Sequence, residues 1–122
     1  SGQHTTLLDP LVGIFNQKIH HQLEVMRVGQ SLNMLASRLF AALDPILESE
    51  KPDLVLVQGD TTTAFAGAFC AFQRRIPVGH VEAGLRTADV SSPFPEEANR
   101  RMISRIANLH FAATKRNRQA LR

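Results

Sequence analysis

Asp53-Leu54-Val55-Leu56-Val57-Gln58-Gly59-Asp60-Thr61-Thr62-Thr63 decides the fold of this chain. Asp53 to Gln58 reads as a buried strand running into a glycine, an aspartate and the start of a helix. About twenty residues on, Ile76-Pro77-Val78-Gly79-His80-Val81-Glu82-Ala83-Gly84-Leu85-Arg86-Thr87 repeats the pattern, with a short apolar strand ending in Glu82 and a glycine-containing turn. Strands followed by helices at this spacing call for parallel pairing through right-handed crossovers. In open parallel sheets ligands bind outside the carboxyl ends of the strands, where loops converge and helix N-termini point at the crevice. Asp60 and Glu82 are therefore expected to face one cleft.

Outward from that stretch, helices and strands alternate with no repeat or low-complexity segment. A helix from His4 to about Lys18 carries Leu7, Leu8, Leu11, Ile14 and Phe15 on one face, with Asp9-Pro10 as its alternative start or a break, and Gln22 to Met26 is a candidate strand. Ser31 to about Ser49 is a helix with Leu32, Leu35, Leu39, Leu43, Ile46 and Leu47 in an apolar stripe and Ser31 as N-cap. Pro45 is expected to bend that helix or split off its last turn. A helix from Thr61 or Thr62 to Gln73 is apolar nearly all round, so it is covered on most sides. Then come a strand over Val78 to Val81, a helix over Glu96 to Ala107 with Pro95 at its first position, a strand over Leu109 to Ala112, and Thr114 capping a last helix. Three strands cannot be covered well on both faces by these helices. The sheet is expected to be incomplete, part of a larger unit.

Composition sets bounds. A chain of 122 residues, 43% hydrophobic, makes one domain or a piece of one. The single cysteine, Cys70, excludes a disulfide framework and a thiolate zinc site, and fits a reducing compartment. No run is long and apolar enough to span a bilayer, so a cytoplasmic protein is expected. The formal charge is +3, and after Glu97 there is no acid while Arg100, Arg101, Arg105, Lys115, Arg116, Arg118 and Arg122 follow. Met102, Ile103, Ile106 and Ala107 recur between the arginines at helical spacing, the pattern of a core-facing helix with a solvated outer face rather than a nucleic-acid surface. The phosphates of a small ligand are a third use for one or two of these arginines.

Gln58-Gly59-Asp60-Thr61-Thr62-Thr63, Gly79 to Thr87, and Pro95-Glu96-Glu97-Ala98-Asn99-Arg100 together resemble the consecutive signature blocks of the non-hydrolysing UDP-N-acetylglucosamine 2-epimerases. Gln3-His4 followed by Leu8-Asp9 is similar to the glutamine–histidine segment of that family. The resemblance implies an α/β, Rossmann-like parallel-sheet domain. Residues 1–122 would be part of the N-terminal half of a two-domain glycosyltransferase-B-type architecture, without its first strand and without the second domain. It implies inversion at C2 of UDP-N-acetylglucosamine by elimination and re-addition of UDP, with no cofactor and no metal, by a cytoplasmic protein that is a homodimer in its full form. Asp60, Glu82 and Glu96 carry over as the catalytic acids, Arg86, Arg100, Thr61 and His80 as substrate-binding residues, and Gln3 as part of an activator site. Thr6 and Gly29 stand where longer polar side chains are common in that site.

Each of these residues also has a plainer reading. Asp60 could cap a helix, Glu96 could only meet a helix dipole, and Arg86 and Arg100 could pair Glu82 and Glu97 instead of holding phosphate. His80, inside an apolar strand, suits a hydrogen-bonded core histidine better than a proton shuttle. Which carboxylate is the base is left open by the motifs. Two other classes share these features: a sugar-nucleotide glycosyltransferase of the same architecture, and a non-catalytic binding module.

Overall fold

The computed structural model describes residues 14–16 and 18–122, so Gln3, Thr6 and most of the helix expected from His4 lie outside the described residues. The described elements are α1 (Leu32–Glu50), β1 (Val55–Gln58), α2 (Thr62–Gln73), β2 (Val78–Val81), α3 (Glu96–Ile106), β3 (Leu109–Phe111) and α4 (Lys115–Gln119). The three strands are parallel and lie in the order β1-β2-β3, with Val57, His80 and His110 in register. This is an α/β, Rossmann-like arrangement.

Sequential order has a direct consequence for covering the sheet. Crossovers of one hand that step in one direction put their helices on one face. α2 and α3 both pack there, joining Ala64, Ala68, Ala71 and Ile103 to Val57 and Val78. The opposite face carries Leu56, Gly79, Leu109 and Phe111: a side chain placed on Gly79 would touch the other three. Among the described residues nothing covers it, and Leu56, Leu109 and Phe111 are 59%, 48% and 51% exposed.

α1 starts where Ser31 accepts a hydrogen bond from the Met34 amide, 3.2 Å away, and ends at Lys51 in a left-handed conformation whose amide bonds the Leu47 carbonyl. Pro45 lies inside this helix and does not split off its last turn. The missing proline donor costs one hydrogen bond, but the helix is anchored before Pro45 by Leu39 in one core cluster and after it by Leu47 in another, with Leu43 packed against both. α1 packs on α2 through Leu35, Leu39 and Ala66, with Phe40, Phe65 and Phe69 in mutual ring contact.

Three other expectations change at the edges. Gln22 to Met26 forms no strand: Val25 and Leu23 pack into the α1–α2 core from an extended segment that has no neighbouring strand among the described residues. β1 begins at Val55 rather than Asp53, at the point where the Val55 amide meets the Pro77 carbonyl. Pro95 is the N-cap of α3 rather than its first helical residue, at φ −91° and ψ 10°.

α4 docks on the loop after β2 through Gly84. That glycine has φ +88°, and a Cβ there would stand 2.1 Å from the Asn117 carbonyl oxygen, a backbone atom that cannot swing aside. Gly84→Ala is therefore expected to lower stability by about 2 kcal/mol or more, combining left-handed strain with backbone overlap. A urea midpoint within error of the parent would refute this docking.

Candidate active site at the carboxyl edge of the sheet

β1 and β2 are adjacent and parallel, so the residues that follow them leave the sheet at one edge. The Gly59 amide bonds the Val81 carbonyl at 3.1 Å, carrying the ladder one residue past β1. Gly59 then turns at φ +74°, which a glycine adopts without cost. Glu82 follows β2 with φ +68°, and the Ala83 amide bonds the Phe111 carbonyl at 3.1 Å. A glutamate in this region gives up about 1–2 kcal/mol. Its Oε2 lies 3.6 Å from the position a Cβ on Gly59 would take, so the Glu82 carboxylate rests against the turn that bears Asp60.

Past Asp60 the chain enters α2. The Thr61 hydroxyl accepts from the Ala64 amide at 3.2 Å. Thr61, Thr62, Thr63 and Glu96 border a cavity of roughly 270 Å³ that also meets Arg27 and Gln30, so the N-terminal ends of α2 and α3 face the same space. Glu82 borders the next cavity, of roughly 1000 Å³, with Gln58, His110, Phe111 and Arg118. The Gly59–Asp60 turn lies in the chain between Gln58, which borders the second cavity, and Thr61, which borders the first; Asp60 itself borders neither, and its side chain is 28% exposed.

Beneath the turn the residues are dry. Arg100, 4% exposed, places Nε 3.4 Å from Asp60 Oδ2 and 3.2 Å from Glu97 Oε2. Its Nη1 finds no partner among the described residues. His80 is wholly buried and donates Nε2–H to the Gly59 carbonyl at 2.8 Å. Burial holds this imidazole below its ordinary pKa, against the pull of the Gly59 carbonyl, so the neutral ring prevails at neutral pH; its Nδ1 has no partner among the described residues. Its in-register neighbour His110 is also lowered, by burial and then by His80 and Arg86. Arg86 points elsewhere, donating to the Leu85 carbonyl at 2.8 Å and to Ser104 Oγ at 2.7 Å. It borders a third cavity, of roughly 510 Å³, with Arg101 and Arg105.

Two residues hold this arrangement: Glu97, expected only as a structural partner of Arg100, and Asn99, to which motif reading gave no role. Glu97, with no exposed surface, accepts from the Thr87 amide at 3.2 Å and Arg101 Nε at 2.6 Å besides pairing Arg100. Burial pushes its carboxyl up, but the Arg101 bond, the Thr87 amide and the Arg100 charge together hold it below the usual glutamate range. Asn99, 5% exposed, donates Nδ2–H to the Asp60 carbonyl at 2.8 Å. The spacing of Glu97 to Arg101 was a signal for the first. For the second, the signal was a poor helix former placed inside a helix. Among the described residues no group of three His, Cys, Asp or Glu is placed to hold a metal ion.

A family model described as UDP-N-acetylglucosamine 2-epimerase matches residues 1–122. The UDP-N-acetylglucosamine 2-epimerases of Yersinia pestis and Escherichia coli K12 are 47% and 48% identical over 121 residues, which is 99% of this chain and 32% of each relative. Among solved structures, UDP-GlcNAc 2-epimerase from Neisseria meningitidis bound to UDP-GlcNAc superposes with a TM-score of 0.91 at 46% identity, covering 98% of this chain and 33% of that one. The Methanocaldococcus jannaschii UDP-GlcNAc 2-epimerase in complex with UDP-GlcNAc and UDP gives a TM-score of 0.85 at 33% identity, over 93% and 30% of the two chains. This chain thus spans about a third of the length of the curated relatives it matches.

Glu97→Gln is expected to lower unfolding free energy by about 3 kcal/mol near neutral pH, because it leaves the buried Arg100 with only one carboxylate contact, the longer one to Asp60 at 3.4 Å. A carboxyl whose folded pKa is depressed stabilises above its unfolded value, about 4.3, and loses that contribution as pH falls through the folded value. The gap between parent and variant in urea unfolding should therefore close below pH ~4. A gap that stays constant with pH would assign the loss to packing instead.

Proposed function

The chain belongs to the UDP-N-acetylglucosamine 2-epimerase family, and from that premise we propose that the protein carrying it interconverts UDP-N-acetylglucosamine and UDP-N-acetylmannosamine. In this reading a base removes the C2 proton while the C1–O bond to UDP breaks, leaving a C1=C2 glycal and free UDP. Re-addition of UDP to C1 with protonation of the other face of C2 gives the epimer. The reaction needs a carboxylate near C2, a second carboxylate to stabilise the oxocarbenium-like sugar, and donors for the departing diphosphate. Asp60, Glu82 and Glu96 are the acids assigned to the sugar, with Thr61 and the α2 N-terminus open to its polar groups; Arg86, turned towards Ser104, has no part in this arrangement.

One observation carries the reading: Glu82 Oε2 rests against Gly59, at the turn bearing Asp60, on the carboxyl edge of two adjacent parallel strands. Glu96 borders the same cavity as Thr61, the residue that follows Asp60. The uncovered face with Leu56, Leu109 and Phe111 supports a further part of the proposal, that residues 1–122 belong to an N-terminal Rossmann-like domain within a two-domain protein. Family resemblance adds a homodimer working in the cytoplasm. No helix among the described residues is long and apolar enough to cross a membrane.

The test is incubation of the full-length protein with UDP-N-acetylglucosamine alone in D2O, followed by NMR. Deuterium at C2 and formation of the manno epimer are expected, and Asp60→Asn, Glu82→Gln and Glu96→Gln should each slow turnover on the order of 100-fold or more. Absence of both signals, with sugar transfer appearing only after an acceptor is added, would replace the epimerase by a transferase.

A further inference from the structure

We infer that Asn99 is a positioning residue for Asp60, acting with His80 and Arg100 as a three-point clamp on the Gly59–Asp60 turn; this deepens the role given to Asp60 above and rests on it. The turn sits between two regular elements and belongs to neither. The Gly59 and Asp60 carbonyls come after the last β1 residue and before Thr61, whose own carbonyl accepts the first helical bond, from Phe65 at 3.0 Å. Two backbone acceptors therefore need partners from elsewhere.

Side chains from two other elements supply them. His80 on β2 donates to the Gly59 carbonyl and Asn99 on α3 to the Asp60 carbonyl, each at 2.8 Å. Arg100, the next residue on α3, faces one oxygen of the Asp60 carboxylate at 3.4 Å. All three supports are at most 5% exposed, whereas the Asp60 side chain is 28% exposed. The held side of the turn is dry and its carboxylate side is wet. Such a mount fixes the second oxygen of Asp60 without occupying it, and a displacement near 1 Å at a reacting group can cost on the order of 100-fold in rate.

Asn99 is the informative member, because its contact is with the backbone and involves no charge. Through Asn99, α3 carries Glu96 and sets Asp60 at the same time. Glu96, at the first turn of α3, and the Asp60 carbonyl are thus separated by three helical residues and one hydrogen bond. Rotation of α3 would move two of the assigned acids together.

The experiment is a double-mutant cycle on the full-length protein, with Asn99→Ala and, in case that variant folds poorly, Asn99→Ser, each made in the parent and in the Asp60→Asn background. Asn99→Ala should lower kcat on the order of 10- to 100-fold with KM changed by less than about twofold. In the Asp60→Asn background the same substitution should add less than about threefold, since the group it positions is already gone. A full multiplicative loss there, or a kcat within about twofold of the parent, would overturn the inference and leave Asn99 a fastening between α3 and the sheet. Crystal structures of the parent and Asn99→Ala proteins decide independently of activity: the Asp60 carboxylate should shift relative to Glu82, and an unmoved turn refutes the clamp. A parent protein that shows no epimerisation would instead sink the proposed reaction, with the crystal structures still deciding on the clamp.

Discussion

A carboxylate with no contact with solvent, Glu97, ties the site together. It takes one bond from the backbone of the loop after β2, through Thr87, and two charged contacts from its own helix, through Arg100 and Arg101. The second guanidinium closes a loop, because Arg101 Nη2 also donates to the Thr87 carbonyl at 2.9 Å. A buried charge is tolerated only when its lone pairs are filled. Glu97 fills them with groups from both segments that must be kept in register, so loop and helix cannot slide past each other without exposing it. Arg100 extends the tie to Asp60, and the first turn of α3 carries Glu96 along.

The sheet shows how far topology follows from local pattern. Apolar runs ending in Gly59-Asp60 and in Glu82 specified two parallel strands and the edge at which their loops emerge, because strand, turn and cap residues all agreed there. Agreement failed where one signal had to stand alone. Gln22 to Met26, a candidate strand, buries Val25 against helices instead, and no partner strand is present among the described residues. At Pro45 the expected alternatives were a bend or a split-off last turn, and tertiary packing before and after it keeps the last turn in the helix.

The candidate site was legible in its exposed acids and much less so in the residues that support them. Acids following strands are conspicuous in a sequence, because polar residues interrupt apolar runs. Supports such as Asn99 and Glu97 look like ordinary polar helix positions until the direction of their side chains is known. Two adjacent glutamates make the point: Glu96 borders a cavity and Glu97 is sealed, and only the rotation of α3 about its axis separates them. His80 and Arg100 show the converse. The family resemblance suggested ligand contact for both, while the plainer reading, a hydrogen-bonded core histidine and an arginine paired with Glu97, matches their depth and their neighbours.

The left-handed backbone at Glu82 bears on how this protein can be engineered. Glycine or asparagine would relax that residue by about 1 kcal/mol, so any selection for thermal tolerance, or any design method that ranks residues by fit to the backbone, should favour replacing it. The better the scoring of stability, the more firmly it would recommend removing a carboxylate that rests against the Asp60 turn. Position 82 is thus a place where foldability and the proposed chemistry vote differently. A sequence of this family with glycine there would be a candidate for a protein that has kept the fold without the proposed reaction.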